Sequence, residues 1–242
     1  MFRIRCIFIV LLFGFFIIGG PHTQSLPVTM DNQAFAQTSS SSPSLDLSGK
    51  APLFDPDRIA AAEGRIWRAY YEKNLQRVGL ELIDLLVGQF HLSPTDAFAV
   101  AVDLSSAVQA FQTTRSDYEA QVLPGLKSAY GRLKVLTNGT WDAEKAAQAE
   151  LEWWVKRRTP GHNSPEEVGR SIAKLYKTLY GRSNANIDRA GHLRAKAARI
   201  RDTNRDWPTV DKLLQESYRV LIRGIDDSRT KERGSSMSDF RP

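Results

Sequence analysis

The segment from Ser164 to Gly181 reads SPEEVGRSIAKLYKTLYG, and it carries the clearest helix signal in the chain. Ser164 can accept a hydrogen bond from the backbone of the first turn, and Glu167 can reach back to it in a capping box. Proline suits the first helical position because its missing N–H would have no intrahelical partner there. Gly181 suits the left-handed conformation that ends many helices. The segment therefore predicts one complete helix, from Pro165 to Tyr180.

A similar start signal, a capping side chain followed by proline, occurs at two earlier positions. Asp55 precedes Pro56, and Ser93 precedes Pro94. Apolar residues then recur at steps of three and four, which is the spacing of one helix face. Trp67 belongs to the first of these faces, and we predict that it is a core residue.

Proline and glycine elsewhere fall mainly between periodic segments. Pro124 predicts either two helices, over 117–122 and 124–136, or one kinked helix, because proline removes a helical hydrogen bond. The pair Asn138-Gly139 indicates a turn. Outside the N-terminal apolar run, no stretch alternates apolar and polar residues as a strand does. We therefore predict an all-α fold, a single bundle of about seven to eight helices with short connections.

Composition divides the chain into four predicted regions. The segment 37–50, QTSSSSPSLDLSGK, is rich in serine and has no period, so it cannot bury enough surface to order itself. Residues 226–242 are similarly polar. The predicted regions are a signal peptide or membrane anchor at 1–36, a flexible linker at 37–52, an all-helical domain at 53–225 and a disordered tail at 226–242.

The first residues resemble an export signal in composition. Arg3 and Arg5 precede an unbroken apolar run from Cys6 to Gly20, and a positive flank before a short apolar core is typical of secretory signals. The run is shorter than the ~20 residues that a spanning helix needs. We predict cleavage after Ala36 and a periplasmic or secreted protein. The alternative is retention at the membrane through residues 6–20.

Cysteine content limits the chemistry of the mature chain. Cys6 is the only cysteine and lies inside the apolar run, so cleavage would leave none. The mature protein would then have no disulfide, no cysteine nucleophile and no thiolate metal site. No cofactor is predicted.

The most distinctive pattern in the predicted domain is a pair of tryptophans followed by a basic triplet. Trp153 and Trp154 point about 100° apart on a helix, so we expect one to pack inward and the other to lie at an exposed edge. The triplet Lys156, Arg157 and Arg158 complements the dipole at the end of the helix. Tryptophan beside lysine and arginine also suits lipid headgroups or an anionic partner. These five residues form a candidate interaction surface.

Histidine and carboxylate patterns indicate no catalytic or metal site by themselves. Asp188 and His192 share a helix face, but two ligands do not make a metal site, and a surface salt bridge is expected. Glu63 and Asp103 lie near apolar stripes. If they are buried, we expect each to pair with an arginine. The expected partners are arginines such as Arg65, Arg68 or Arg77. A site between helices would instead require such groups to converge, for example Glu63, Tyr70 and Asp103 with an arginine.

Nucleotide-binding loops and the serine hydrolase elbow are absent from the sequence. The net charge is +6, and removal of residues 1–36, with two arginines and one aspartate, lowers it to +5. Residues 182–242 hold 14 Lys/Arg against 9 Asp/Glu. Five of these cations make the predicted helix over 186–202 basic, namely Arg189, Arg194, Lys196, Arg199 and Arg201. A basic helix can contact an anionic partner, but a solvated helix face is the commoner meaning. Export argues against nucleic acid as the partner.

Three functions are compatible with these patterns. The sequence favours a non-catalytic interaction or structural module of the cell envelope, with an envelope protein as partner. A first alternative is a peripheral protein that docks on an anionic membrane surface through Trp153, Trp154 and the adjacent basic residues. A second is an enzyme or small-ligand binder with a site between helices.

Overall fold

The computed structural model describes residues 54–238, with side chains for 54–74 and 76–226. The predicted signal or anchor, the cleavage site and the linker lie outside the described residues. The described part is entirely helical, which confirms the predicted fold class. Its nine helices are α1 Pro56–Tyr71, α2 Leu75–Phe90, α3 Pro94–Thr113, α4 Tyr118–Gln121, α5 Leu123–Leu136, α6 Ala143–Arg158, α7 Pro165–Tyr180, α8 Ala185–Thr203 and α9 Trp207–Ser238.

The residues predicted to cap helices are found at the helix N-termini. The Asp55 side chain accepts hydrogen bonds at the start of α1, and the Ser93 side chain does so at the start of α3. Ser164 accepts from the backbone N–H of Glu167, and Gly181 ends α7 with φ of 62°. The prediction that the Glu167 side chain reaches back to Ser164 is wrong. Its carboxylate turns toward His162, whose Nδ1 lies 3.5 Å from Oε1.

Pro124 lies in the first turn of α5, and a separate four-residue helix, α4, precedes it. The sequence left open either two helices or one kinked helix, and the structure has two helices. A proline in a first turn removes no intrahelical bond, so the chain does not need to kink. This short extra helix explains why the described residues contain one helix more than the predicted upper number.

The last helix continues beyond the predicted end of the domain. α9 runs to Ser238, whereas the polar composition led us to expect a tail from residue 226. Apolar side chains anchor its first part, where Val210, Leu214 and Leu221 are fully buried. None of the helices within residues 54–238 has both the length and the apolar character needed to cross a bilayer.

Eight of these helices form a closed ring of neighbours. α1 packs on α2, α2 on α3, α3 on α5, and the order continues through α6, α7, α8 and α9. α9 then packs against α1 and closes the ring, while α4 lies beside α3 and α5. Each helix of the ring turns one face toward a common interior, so side chains far apart in sequence meet there.

Candidate functional site

The interior of the ring contains a cavity of about 100 Å³. All eight helices of the ring contribute to its wall. Its apolar part is formed mainly by α2, α3, α5 and α7, and its polar part by residues of α2 and of α5 through α9. The apolar lining residues are Ile66, Leu82, Leu85, Leu86, Phe90, Val100, Leu104, Ala129, Leu133, Leu175 and Leu179, and the polar ones are Gln89, Tyr130, Glu150, Tyr176, Arg194 and Tyr218.

A buried ion pair supports the polar part of the wall. The Arg194 guanidinium donates from Nε to Oε1 of Glu63 at 2.9 Å, and its Nη2 lies 2.8 Å from the same oxygen. Tyr218 donates to the other Glu63 oxygen at 2.6 Å. Glu63 is fully buried and the Arg194 side chain is 11% exposed. Although burial favours a neutral guanidine, the charge of Glu63 holds the pKa of Arg194 well above its ordinary value.

A second buried carboxylate, Glu150, lies directly on the cavity wall. Its Oε2 accepts a hydrogen bond from the Tyr130 hydroxyl at 3.0 Å, and its Oε1 accepts one from the Trp154 indole at 2.8 Å. Burial raises the pKa of Glu150, and the Trp153 indole, the nearby charge of Arg194 and these two donors oppose that rise. The two carboxylates therefore differ, because Glu63 has a cation bonded to it and Glu150 has neutral donors.

Of two buried tyrosines of α7, Tyr176 lines the cavity, whereas Tyr180 is not among the lining residues. Gln89 donates to the Tyr180 hydroxyl at 3.0 Å. The Tyr176 hydroxyl is buried and makes no hydrogen bond of ordinary geometry to the described residues, although the Arg194 guanidinium lies near enough to affect its titration. Burial raises the pKa of Tyr176 to about 12, so this hydroxyl keeps its proton at neutral pH. The cavity wall thus offers a hydroxyl group that can bond to a guest.

The predicted interaction surface is arranged differently from expectation. Trp153 and Trp154 are only 2% and 1% exposed, so the prediction that one of them lies at an exposed edge is wrong. Their rings meet edge to face, with centroids 6.2 Å apart. The helix α6 packs against both α5 and α7, and this gives it an apolar face wide enough for two adjacent tryptophans.

The basic triplet that follows is tied into contacts within the chain. Lys156 pairs with Glu152 at 2.9 Å, and Arg157 forms an ion pair with Asp202. Arg158 donates to the carbonyl oxygen of Phe111 at 2.7 Å and stacks over its ring at 3.7 Å from the centroid. Arg157 and Arg158 therefore connect α6 to α8 and to α3, whereas Lys156 pairs within α6 itself. Neither Trp153 nor Trp154 accompanies these cations at the surface.

The convergence suggested for Glu63, Tyr70 and Asp103 does not occur. Asp103 pairs with Arg132 at 2.7 Å, whereas Glu63 pairs with Arg194. Neither Tyr70 nor Asp103 lines the cavity. Each carboxylate does have an arginine partner, as expected, but the partner comes from another helix. The prediction of nearby arginines such as Arg65 or Arg68 as partners is wrong, because the packing of the helices determines these ion pairs and distance along the chain does not.

The basic helix α8 is not simply a solvated face. Arg201 is 1% exposed, bonds to Asp202 at 2.8 Å and lies 4.1 Å from the ring centroid of Trp67. Burial lowers the pKa of Arg201 to about 10. Asp188 pairs with Lys177 at 2.6 Å and not with His192. In the part of the chain that the structure describes, no three His, Cys, Asp or Glu side chains are placed to hold a metal ion.

The polar lining residues were not recognised as a group from the sequence. Glu150 stands four residues before Trp154, which places it on a buried helix face and was the one available signal. Arg194 was counted with the solvated basic residues, and Tyr130, Tyr176 and Tyr218 fit an apolar stripe. Comparison of the chain with protein-family models, with curated proteins and with solved structures finds no match.

Proposed function

We propose that this chain is an exported helical protein that binds a small ligand in the cavity between the helices of its ring. The observation that carries the proposal is the cavity wall itself, which combines an extended apolar part with the buried polar groups of Glu150, Tyr176 and Arg194. Binding sites for small molecules are typically mostly apolar with a few placed polar groups. The sequence favoured a non-catalytic interaction or structural module. The cavity is our reason for preferring a protein that binds a small ligand.

The volume limits the size of the ligand. An apolar cavity of about 150 Å³ accepts benzene, so about 100 Å³ suits a guest of roughly four to six non-hydrogen atoms. The side chains of Leu85 and Leu104 line the cavity and are only partly buried. They lie on α2 and α3, and we propose that the guest enters between these helices.

A filling variant tests whether the cavity binds anything. Ala129 lines the cavity and is 1% exposed, so Ala129→Leu would place a larger side chain in the space. The probes are n-butanol, n-butylamine and butyrate at millimolar concentration, followed by amide chemical shifts. We expect at least one probe to shift resonances of cavity residues in the wild type and to lose this effect in Ala129→Leu.

The matched control for this experiment is Ser128→Leu, which adds the same side chain at the adjacent exposed position of α5. It should leave the shifts caused by the probe unchanged. If all three probes leave the wild-type cavity resonances in place, the proposed function is wrong. Equal binding to the wild type and to Ala129→Leu would also contradict it, because the probe would then lie elsewhere.

The export part of the proposal rests on Arg3, Arg5 and the apolar run that follows them. Fractionation of the native host, with intact-mass analysis of the N-terminus, tests it. A released form that begins at Gln37 would support cleavage after Ala36. A membrane-bound form that retains Met1 would support the anchored alternative, and a cytoplasmic form with Met1 would contradict export.

A further inference from the structure

The charges around the cavity do not balance among the described residues. The Arg194 guanidinium and the Glu63 carboxylate neutralise each other at 2.8 Å. Glu150, which is 5% exposed, accepts hydrogen bonds from Tyr130 and Trp154, and the Trp153 indole also lies close enough to lower its pKa; all three groups are neutral donors. No lysine, arginine or histidine of the described chain lies within ion-pair distance of it. Glu150, the one acidic residue among the lining residues of this cavity, therefore has no directly bonded cation.

An ionised carboxylate retains acceptor capacity beyond two hydrogen bonds, since its two oxygens provide about four lone-pair sites. The Tyr176 hydroxyl lines the same cavity and is buried. Its oxygen can accept a hydrogen bond from a guest, and the tyrosine rings can contact a cation through their faces. An ammonium group has three donors and no acceptor, so it suits this set of groups.

We infer that the natural ligand is a small alkylammonium compound, whose cationic head binds the Glu150 carboxylate beside Tyr176 while its alkyl part contacts the leucine-rich wall. This inference rests on the proposed function and assigns the ligand class of the same cavity. A carboxylate head is disfavoured because Glu150 would repel it, and because the charge of Arg194 is already neutralised by Glu63, to which its Nε and Nη2 groups are bonded. A neutral alcohol would fill the same space without meeting the charge.

The test compares three probes of equal chain length at mildly alkaline pH, where n-butylamine is still cationic and Glu150 is more fully ionised. Dissociation constants of n-butylamine, n-butanol and butyrate are measured with the wild-type protein by chemical-shift titration. We expect n-butylamine to bind about tenfold more tightly than n-butanol, and butyrate to bind weakest.

The variant Glu150→Gln keeps the shape and removes the charge, and it should abolish the preference for the amine. The matched control is Glu152→Gln on the same helix, whose carboxylate pairs with Lys156 and Lys174 and does not line the cavity. This control should keep the preference.

The outcomes separate the two proposals. If n-butanol binds as tightly as n-butylamine, or butyrate binds best, the ammonium assignment is wrong while the cavity remains a binding site. If none of the probes binds, both proposals fail. The wild-type comparison decides the ligand class even if Glu150→Gln does not fold.

Discussion

The Glu63 carboxylate and the Arg194 guanidinium form an ion pair at 2.8 Å inside the ring of helices, although 131 positions separate the two residues in the chain. The pair joins α1 to α8, two helices that are not neighbours in the ring. It also fixes the Tyr218 hydroxyl, which donates to Glu63 from α9. This pair therefore positions two polar residues of the cavity wall, Arg194 and Tyr218.

Glu63→Gln is expected to lower the free energy of unfolding by about 3–5 kcal/mol, because it leaves the Arg194 guanidinium with an uncompensated charge in a buried position. Urea denaturation measures the effect. The matched control is Glu216→Gln, which removes a carboxylate that pairs with Arg189 at the surface. An equal effect of the two substitutions would contradict the special role of the buried pair.

The crossing of α7 and α8 predicts a strict need for glycine at position 191. A Cβ on Gly191 would stand 2.4 Å from the carbonyl oxygen of Gly169, so Gly191→Ala should separate the helices and cost about 1–3 kcal/mol. Gly131 in α5 has nothing within 4 Å of an added Cβ, and Gly131→Ala should be neutral or stabilising. Thermal unfolding compares them, and a stable Gly191→Ala variant would refute the close crossing.

Trp67 is 1% exposed and has the Arg201 guanidinium over its ring at 4.1 Å. Trp67→Ala should destabilise the protein by about 3–5 kcal/mol, because it leaves a large cavity and removes the aromatic face on which a buried cation rests. The melting temperature should fall accordingly. An unchanged value would be incompatible with the core position of this side chain.

The Ser164 side chain accepts a hydrogen bond from the Glu167 backbone at 3.2 Å and so caps α7. Ser164→Ala should cost about 1 kcal/mol, whereas Ser164→Asp retains a cap and should cost much less. Denaturant unfolding of both variants checks this. Equal stability of Ser164→Ala and the wild type would mean that the cap does not contribute to folding.

Acid pH should weaken the contact between α6 and α7 through Glu152. Partial burial of this carboxyl opposes ionisation, but hydrogen bonds from Lys156 and Lys174 outweigh burial and lower its pKa from 4.5 to about 2. A pKa lowered by folding stabilises the protein above the unfolded value, and this stabilisation is lost as the pH falls from about 4.5 toward 2.

The unfolding free energies of the wild type and Glu152→Gln test this prediction across the acid range. The difference between them should be largest near neutral pH and should shrink as the wild-type carboxyl becomes protonated. A difference that does not change with pH would show that Glu152 acts only through packing.

Local signals account for the helices that the sequence predicted correctly. The caps at Asp55, Ser93 and Ser164 and the terminator Gly181 act through hydrogen bonds and backbone conformations within a few residues, so the residue types alone determine where these helices begin and end. The apolar spacing around Trp67 likewise determines which face is buried. For these reasons the all-α fold class could be predicted from the sequence without knowledge of how the helices pack.

Only the tertiary structure decided which helices are neighbours and which polar groups meet. Trp153 and Trp154 are both buried because α6 is flanked by α5 and α7, and a single helix pattern cannot indicate how many of its faces are covered. Glu63 reaches Arg194 across the interior of the closed ring, and Glu150 reaches Tyr130 because α5 packs on α6. Such contacts depend on the arrangement of whole helices, so spacing along the chain determines the helices but not the groups that line the cavity between them.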